Sequence, residues 1–242
     1  MTDPKLRFRL IACGVLKKEI DAVRDVIPDS VELTETWLEQ GLHRAPGCLN
    51  ELIREEIARI EESGEEYDAI LLGYGICSSG TVGVSSEQYR IVVPRAHDCI
   101  TLFLGSKDRY LEEFSSAPGT YWFTPGFIGG PVQPGMSEKY AGIYREFEDN
   151  YEEYLERFGD DAAARFVIDH QEQAWIKNYS RGAYVESGLP GGDSLRDKAR
   201  RFCDSREWRF EEVRGDMSLI RDLVTGNWRS EEHTSELQSL LI

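Results

Sequence analysis

Apolar residues in the first hundred positions fall into short unbroken runs separated by stretches of helical period. Phe8–Ala12, Ala69–Gly73 and Ile91–Val93 are nearly continuous apolar runs, and a shorter run lies near Val31–Leu33. Between them Leu16, Ile20, Val23 and Ile27 recur at helical spacing, as do Leu49, Leu52, Ile53, Ile57 and Ile60 within Leu49–Glu62. Runs without strict alternation suit strands buried on both faces, and intervening amphipathic helices suit a parallel sheet covered on both sides. The pattern predicts a Rossmann-like α/β fold with a mainly parallel sheet, and makes Phe8–Ala12, Ala69–Gly73 and Ile91–Val93 neighbouring parallel strands.

Beyond a helix starting near Cys99 the pattern becomes mainly helical. Gly119–Phe123 is rich in β-favouring aromatics and predicts a strand. Thr124–Gly135 holds three prolines and four glycines, which predicts a loop. Tyr140, Ile143, Tyr144, Phe147, Tyr151, Tyr154, Leu155 and Phe158 form one stripe of a long helix, read as core packing. A further helix is predicted over Asp161–Asn178, a loop over Ser187–Asp193, a helix over Ser194–Ser205, a strand over Arg209–Val213 and a helix over Met217–Val224. The expectation is a helix-rich second half packed on the sheet, residues 1–228 forming a single α/β domain.

Three cysteines fall where predicted strands end. Cys13 closes the first run, Cys77 lies just past Ala69–Gly73, and Cys99 follows Ile91–Val93 with His97 two residues earlier. In an open parallel sheet the carboxyl ends of the strands share one edge, where ligand sites collect. Residues far apart in sequence are therefore expected to line one pocket of thiols and imidazole. Thiolates and imidazoles are the usual ligands of zinc, and thiolates also hold iron–sulfur clusters. No C-x-x-C pair occurs in the chain, so such a site must be assembled by the fold. Cysteine also serves as a small buried hydrophobe, which is the reading for Cys48 and Cys203.

The candidate metal ligands are Cys13, Cys77 and Cys99, completed by His97 or by His43 in the loop Gly41–Gly47. Zinc is the expected metal, because four mixed sulfur and nitrogen ligands suit tetrahedral coordination; an iron–sulfur cluster or a corrinoid are the alternatives. Gly73 and Gly75 begin a glycine-rich loop that lets backbone approach a ligand, and Arg95 is placed either to bind an anion or to pair with Asp98. The loop matches neither nucleotide-binding fingerprint. His170, beside Asp169, is read as packed or solvated.

Charge and composition narrow the partners. The chain has 242 residues, 40% of them hydrophobic, and a formal charge of −16. Such a charge disfavours nonspecific binding to nucleic acid and to anionic membrane surfaces. No run approaches the roughly 20 apolar residues of a membrane span, and the N-terminus has no apolar secretory core. Five cysteines at irregular spacing suit reduced thiols, and the expected location is the cytoplasm.

Arg229–Ser239 reads as the in-frame translation of a sequencing adapter, so 229–242 is expected to be non-native and to make few buried contacts. Leaving it out removes one Arg and three Glu and does not change the sign of the charge.

Two resemblances add to this reading. His97-Asp98-Cys99 is similar to the zinc motif of thiol-activating, corrinoid-linked methyltransferases, in which zinc binds a substrate thiol. The segments Ala12–Leu16, Leu72–Cys77, Pro94–Thr101 and Pro118–Trp122, in that order, together resemble the bacterial and archaeal domain-of-unknown-function family DUF1638. That resemblance runs from about Arg7 to Trp228. It implies no established activity. It does imply an association with corrinoid proteins and methyltransferases, whose genes often neighbour those of the family, and so with one-carbon metabolism. Members of the family continue past Gly226-Asn227-Trp228 into a further apolar segment, from which this chain departs. The expected function is metal binding through the Cys/His site in methyl-group metabolism. A non-catalytic corrinoid or cluster accessory protein, and a metal-free enzyme using a Cys99 thiol of depressed pKa, are the alternatives.

Overall fold

The computed structural model describes residues 5–77, 79–129, 159–160, 178–229 and 233–234. The predicted helices over 140–158 and 161–178, and with them His170, lie outside the described residues.

The first sheet is built as the apolar runs require. Strands β1 (Leu6–Cys13), β2 (Val31–Leu38), β3 (Ala69–Gly73) and β4 (Ile91–Pro94) pair in parallel in the order β2-β1-β3-β4. Phe8 lies opposite Ala69, Ala12 opposite Gly73, and Ile70 opposite Ile91. Every residue of β3 and β4 is buried. Alternation then divides their side chains between two cores. Leu10, Ala12, Leu71 and Val92 face one way. Ile11, Ile70, Leu72 and Val93 face the other, where they meet Leu49, Ile53, Ile57 and Ile60 of α2 (Pro46–Glu62).

The first core is larger because it is shared with a second sheet. It takes in Ile20 from α1 (Lys17–Ala22), Leu102 and Phe103 from α3 (Cys99–Leu104), and Tyr110 from α4 (Lys107–Ser116). Strands β5 (Thr120–Phe123), β6 (Arg181–Glu186) and β7 (Arg209–Arg214) form a separate parallel sheet in that order. Ala183, Val185 and Val213 of that sheet join the same core, as do Leu219, Ile220 and Leu223 of the last described helix. Phe123 and Tyr184 face the opposite way, toward Ala199, Cys203 and Trp208.

Among the described residues the second half holds one strand more than expected. The central strand β6 has no predicted counterpart, because Arg181 and Gly182 open it and only Val185 is β-branched. Tertiary contacts offset both handicaps. Arg181 is 6% exposed and pairs with Glu113 of α4 at 2.7 Å and Glu211 of β7 at 2.6 Å. A Cβ at Gly182 would stand 2.1 Å from the Cys203 sulfur, so only glycine admits the next helix. That helix is α6 (Gly192–Asp204), followed after β7 by α7 (Ser218–Thr225). Pro125–Gly129, expected as loop, is a short helix, α5, whose Thr124 hydroxyl accepts the Phe127 amide at 3.1 Å. Pro125 fits its first turn, where an amide would go unbonded in any case.

His233–Thr234 pairs antiparallel with Val93 and Pro94 as a two-residue edge strand, β8. The outer edge of β4 offers backbone groups that pair with any extended chain reaching them.

Glu19 of α1 is the acid this packing costs most. It is 0% exposed, and no well-formed hydrogen bond satisfies either carboxyl oxygen among the described residues, although its own amide and that of Gly126 lie near enough to pull on its charge. It faces Gly126 at the start of α5, where a Cβ would come within 3.1 Å of Oε2. Burial pushes its pKa up to about 7, against a weaker downward pull from its own amide, the Gly126 amide and Lys18. A carboxylate raised in the fold contributes stability that is complete below its unfolded value and is lost as pH rises through the folded one. Between about pH 4.5 and 7.5 the wild type is expected to lose about 3 kcal/mol relative to Glu19→Gln. Urea unfolding of both proteins at pH 5 and pH 8 checks this. Equal losses in the two would show that Glu19 ionises near its ordinary carboxyl value, as a hydrated side chain does.

Candidate functional site

Because β1, β3 and β4 are parallel neighbours, the chain leaves all three at one edge of the sheet. Cys13 is the last residue of β1, and a 3-10 turn, Gly14–Leu16, follows it directly. The amides of Val15 and Gly41 point at its thiol. Gly41 belongs to the loop after β2, two residues before His43, so that loop reaches the same edge. His43 itself is exposed.

Beyond β3 and β4 the two loops stay paired. Ile76 N–H donates to the Ala96 carbonyl at 2.9 Å and Cys77 N–H to that of His97 at 3.2 Å. So close an approach excludes a side chain at Gly75, whose Cβ would lie 2.6 Å from the Ala96 oxygen and 2.9 Å from the Asp98 nitrogen. Gly73 is constrained likewise, by the Ala12 methyl 2.5 Å from where its Cβ would be. The close approaches at both glycines are to the chain's own backbone and side chains. The loop then turns through two non-glycine residues of positive φ, Cys77 at 47° and Ser79 at 72°. That conformation is costly for an L-residue and collects at functional sites. Asn50 of α2 holds the turn by donating to the carbonyls of Gly80 and Val82 at 3.0 and 2.9 Å.

Cys99 is the first residue of α3, and Asp98 caps that helix by accepting the amides of Ile100 and Thr101 at 3.0 and 3.3 Å. The other Asp98 oxygen accepts the Tyr110 hydroxyl at 3.0 Å and lies 3.2 Å from His97 Nδ1. The His97 ring stacks on Tyr110 at 5.5 Å and its side chain is 67% exposed. Asp98 thus positions an accessible imidazole beside the cysteine edge. Arg95 is half-buried in the turn that precedes it. Tyr110 and the Gly41 amide could not have been found from sequence, since each enters by packing from a distant element. Asp98 carries the usual signature of a helix cap.

The thiols act on one another. Burial pushes Cys13 up to about 11 and Cys77 up to about 12, and the charge on Cys13 adds to the rise at Cys77. Cys99 is raised well above the ordinary thiol value, first by burial, then by Asp98, Cys77 and Cys13. The helix-start position therefore does not depress the Cys99 pKa, because desolvation and the neighbouring carboxylate outweigh the helix terminus. Among the described residues no group of three or more His, Cys, Asp or Glu side chains is arranged to hold a metal ion. Cys203 is 0% exposed against Gly182, and Cys48 is half-buried on α2 against the second core.

The positive φ at Cys77 generates a prediction. Glycine relieves a left-handed position that alanine retains, so Cys77→Gly is expected to be more stable than Cys77→Ala by about 1 kcal/mol. Chemical denaturation of both under reducing conditions measures the difference. An alanine variant as stable as the glycine one would mean the turn is unstrained.

No curated protein and no solved structure matches the chain. One family model does, that of a protein of unknown function (DUF1638), and it covers residues 37–224. That span includes Cys77, Cys99, His97, Asp98 and Tyr110 and begins after Cys13. The chain belongs to the DUF1638 family.

Proposed function

We propose that this protein binds a metal ion, zinc by preference, through Cys13, Cys77 and Cys99, with His97 as the fourth ligand and His43 as its alternative. One observation carries the reading. Three desolvated thiols from separate strand ends lie close enough for the charge of one to raise the pKa of another. A cation reverses that penalty, since it favours the thiolate that burial and mutual repulsion disfavour. The donor set, soft sulfur with one imidazole, suits zinc better than a hard cation. The thiols are not gathered on one centre among the described residues, so capture of the ion requires them to turn toward it. When bound with one position open, zinc would serve as a Lewis acid toward a thiol or water. Asp98 and Tyr110 would hold the His97 ring in place.

The wider setting belongs to the same proposal: a cytoplasmic protein of methyl-group metabolism whose partner is a corrinoid protein or a methyltransferase. The resemblance of His97-Asp98-Cys99 to a methyltransferase zinc motif supports it. The metal-free thiol enzyme is the weaker reading, because raised thiol pKa values leave little thiolate at neutral pH.

Elemental analysis of anaerobically purified protein should find about one zinc per chain. Cys13→Ser and Cys99→Ser are expected to lose it and Cys203→Ser to keep it. Because the ligands must shed protons, zinc uptake should release acid and tighten as pH rises. Iron with sulfide in place of zinc would identify a cluster, and equal metal content in all three variants would reduce these cysteines to packing residues.

A further inference from the structure

A second site lies at the other end of α1, away from the thiols. The end of that helix and the 3-10 turn after it, Arg24–Val26, form one wall of an open groove of about 690 Å³. The carboxyl end of β7 and the start of α7 form the other. Three arginines, Arg109, Arg214 and Arg221, line it with a single carboxylate, Asp216. In a chain of charge −16 that local balance is unusual.

Among the described residues, neither Arg109 nor Arg214 makes an ion pair. Arg109 donates to two backbone carbonyls, Leu104 at 3.1 Å and Arg214 at 2.5 Å, which fix its guanidinium and leave its charge uncompensated. The Arg214 side chain has neither a hydrogen bond nor an ion pair among the described residues. Arg221 reaches only Asp222, at 3.4 Å through Nε. Asp216 already accepts the Ser218 amide at 2.8 Å. Between these polar groups the floor is apolar: Val23 is buried, whereas Val26 is 55% exposed. Exposure of one valine is unremarkable, but here it stands inside a concave site beside two uncompensated guanidinium groups. The groove opens where β7 ends, as ligand sites of parallel sheets do.

We propose that this groove binds a small oxyanion carried on an apolar body, a phosphate monoester or carboxylate whose head meets Arg109 and Arg214 and whose body covers Val23 and Val26. A volume of this size suits a small organic ligand. Arg109 is held by two carbonyls and, with five N–H donors, keeps others for a phosphate or carboxylate oxygen. The site is independent of the thiol edge and does not rest on the metal reading.

Phenyl phosphate is the probe, titrated calorimetrically into the full chain with chelator present, so that metal plays no part. Saturable 1:1 binding is expected, weakened roughly fivefold or more by Arg214→Gln and by Val26→Asp, and weakened by salt. Neither side chain has a packing partner whose loss should unfold the protein, and unchanged melting temperatures verify this. Arg59→Gln, on α2 across the first sheet, controls for overall charge and should bind as wild type does. Inorganic phosphate should bind more weakly than phenyl phosphate. The proposal is overturned if the wild type shows no saturable binding, if Arg214→Gln and Val26→Asp bind as tightly as wild type, if Arg59→Gln weakens binding as much as they do, or if inorganic phosphate binds as tightly as phenyl phosphate.

Discussion

Two amide–carbonyl hydrogen bonds beyond the ends of β3 and β4 govern the geometry of the thiol edge. Ile76 bonds to Ala96 and Cys77 to His97. They extend the pairing of the two strands into their loops and bring Cys77 alongside His97, Asp98 and Cys99. The pairing demands a glycine at 75, because backbone from 96 to 98 occupies the space a Cβ would need. Past that pairing the chain turns through Cys77 and Ser79, both of positive φ. Energy is stored in that turn where the candidate ligand stands, and Asn50 of α2, the helix that shares a core with Cys77, helps to hold it.

The same edge concentrates potential negative charge. Three thiols and Asp98 share a desolvated region, and the Asp98 charge is committed to capping α3 and anchoring Tyr110 and His97. An arrangement that disfavours thiolates in isolation favours a cation that converts them, which is the usual thermodynamic coupling of metal sites. On the proposed reading, cation capture and the strain at Cys77 would act on the same turn. At the far end of α1 the charge balance inverts, with guanidinium groups held by carbonyls in place of carboxylates. One helix thus runs between the edge proposed to take a cation and the groove proposed to take an anion.

The two parallel sheets make this possible by sharing a core. Residues of β1, β3 and β4 pack with α1, α3 and α7, and Ala183, Val185 and Val213 close the same cluster from the second sheet. Arg181 ties the second sheet to α4 through Glu113, so the helix that carries Tyr110 is braced from both directions. Displacing α4 would therefore disturb both the Asp98–His97 contacts and the Arg109 fork.

Hydrophobic patterning by itself determined that β1, β3 and β4 are parallel and adjacent, because strands buried on both faces must be apolar without alternation. That conclusion was enough to bring Cys13, Cys77 and Cys99 to one edge, since parallel strands end on the same side. The Asp98 cap is equally local, a property of a few consecutive residues, although the sequence was read there only for a pairing with Arg95 and for the His97-Asp98-Cys99 motif. Strand β6 was not legible, because its tolerance of Arg181 and Gly182 comes from Glu113, Glu211 and Cys203, all distant in sequence. Nor were the short helix α5 at Pro125–Gly129, the left-handed Cys77, the Tyr110 contact or the arginine groove. Each arises where separate elements meet, and the identity of that neighbour is decided by packing in three dimensions. Local periodicity records how buried a residue is; only the tertiary structure decides what it is buried against.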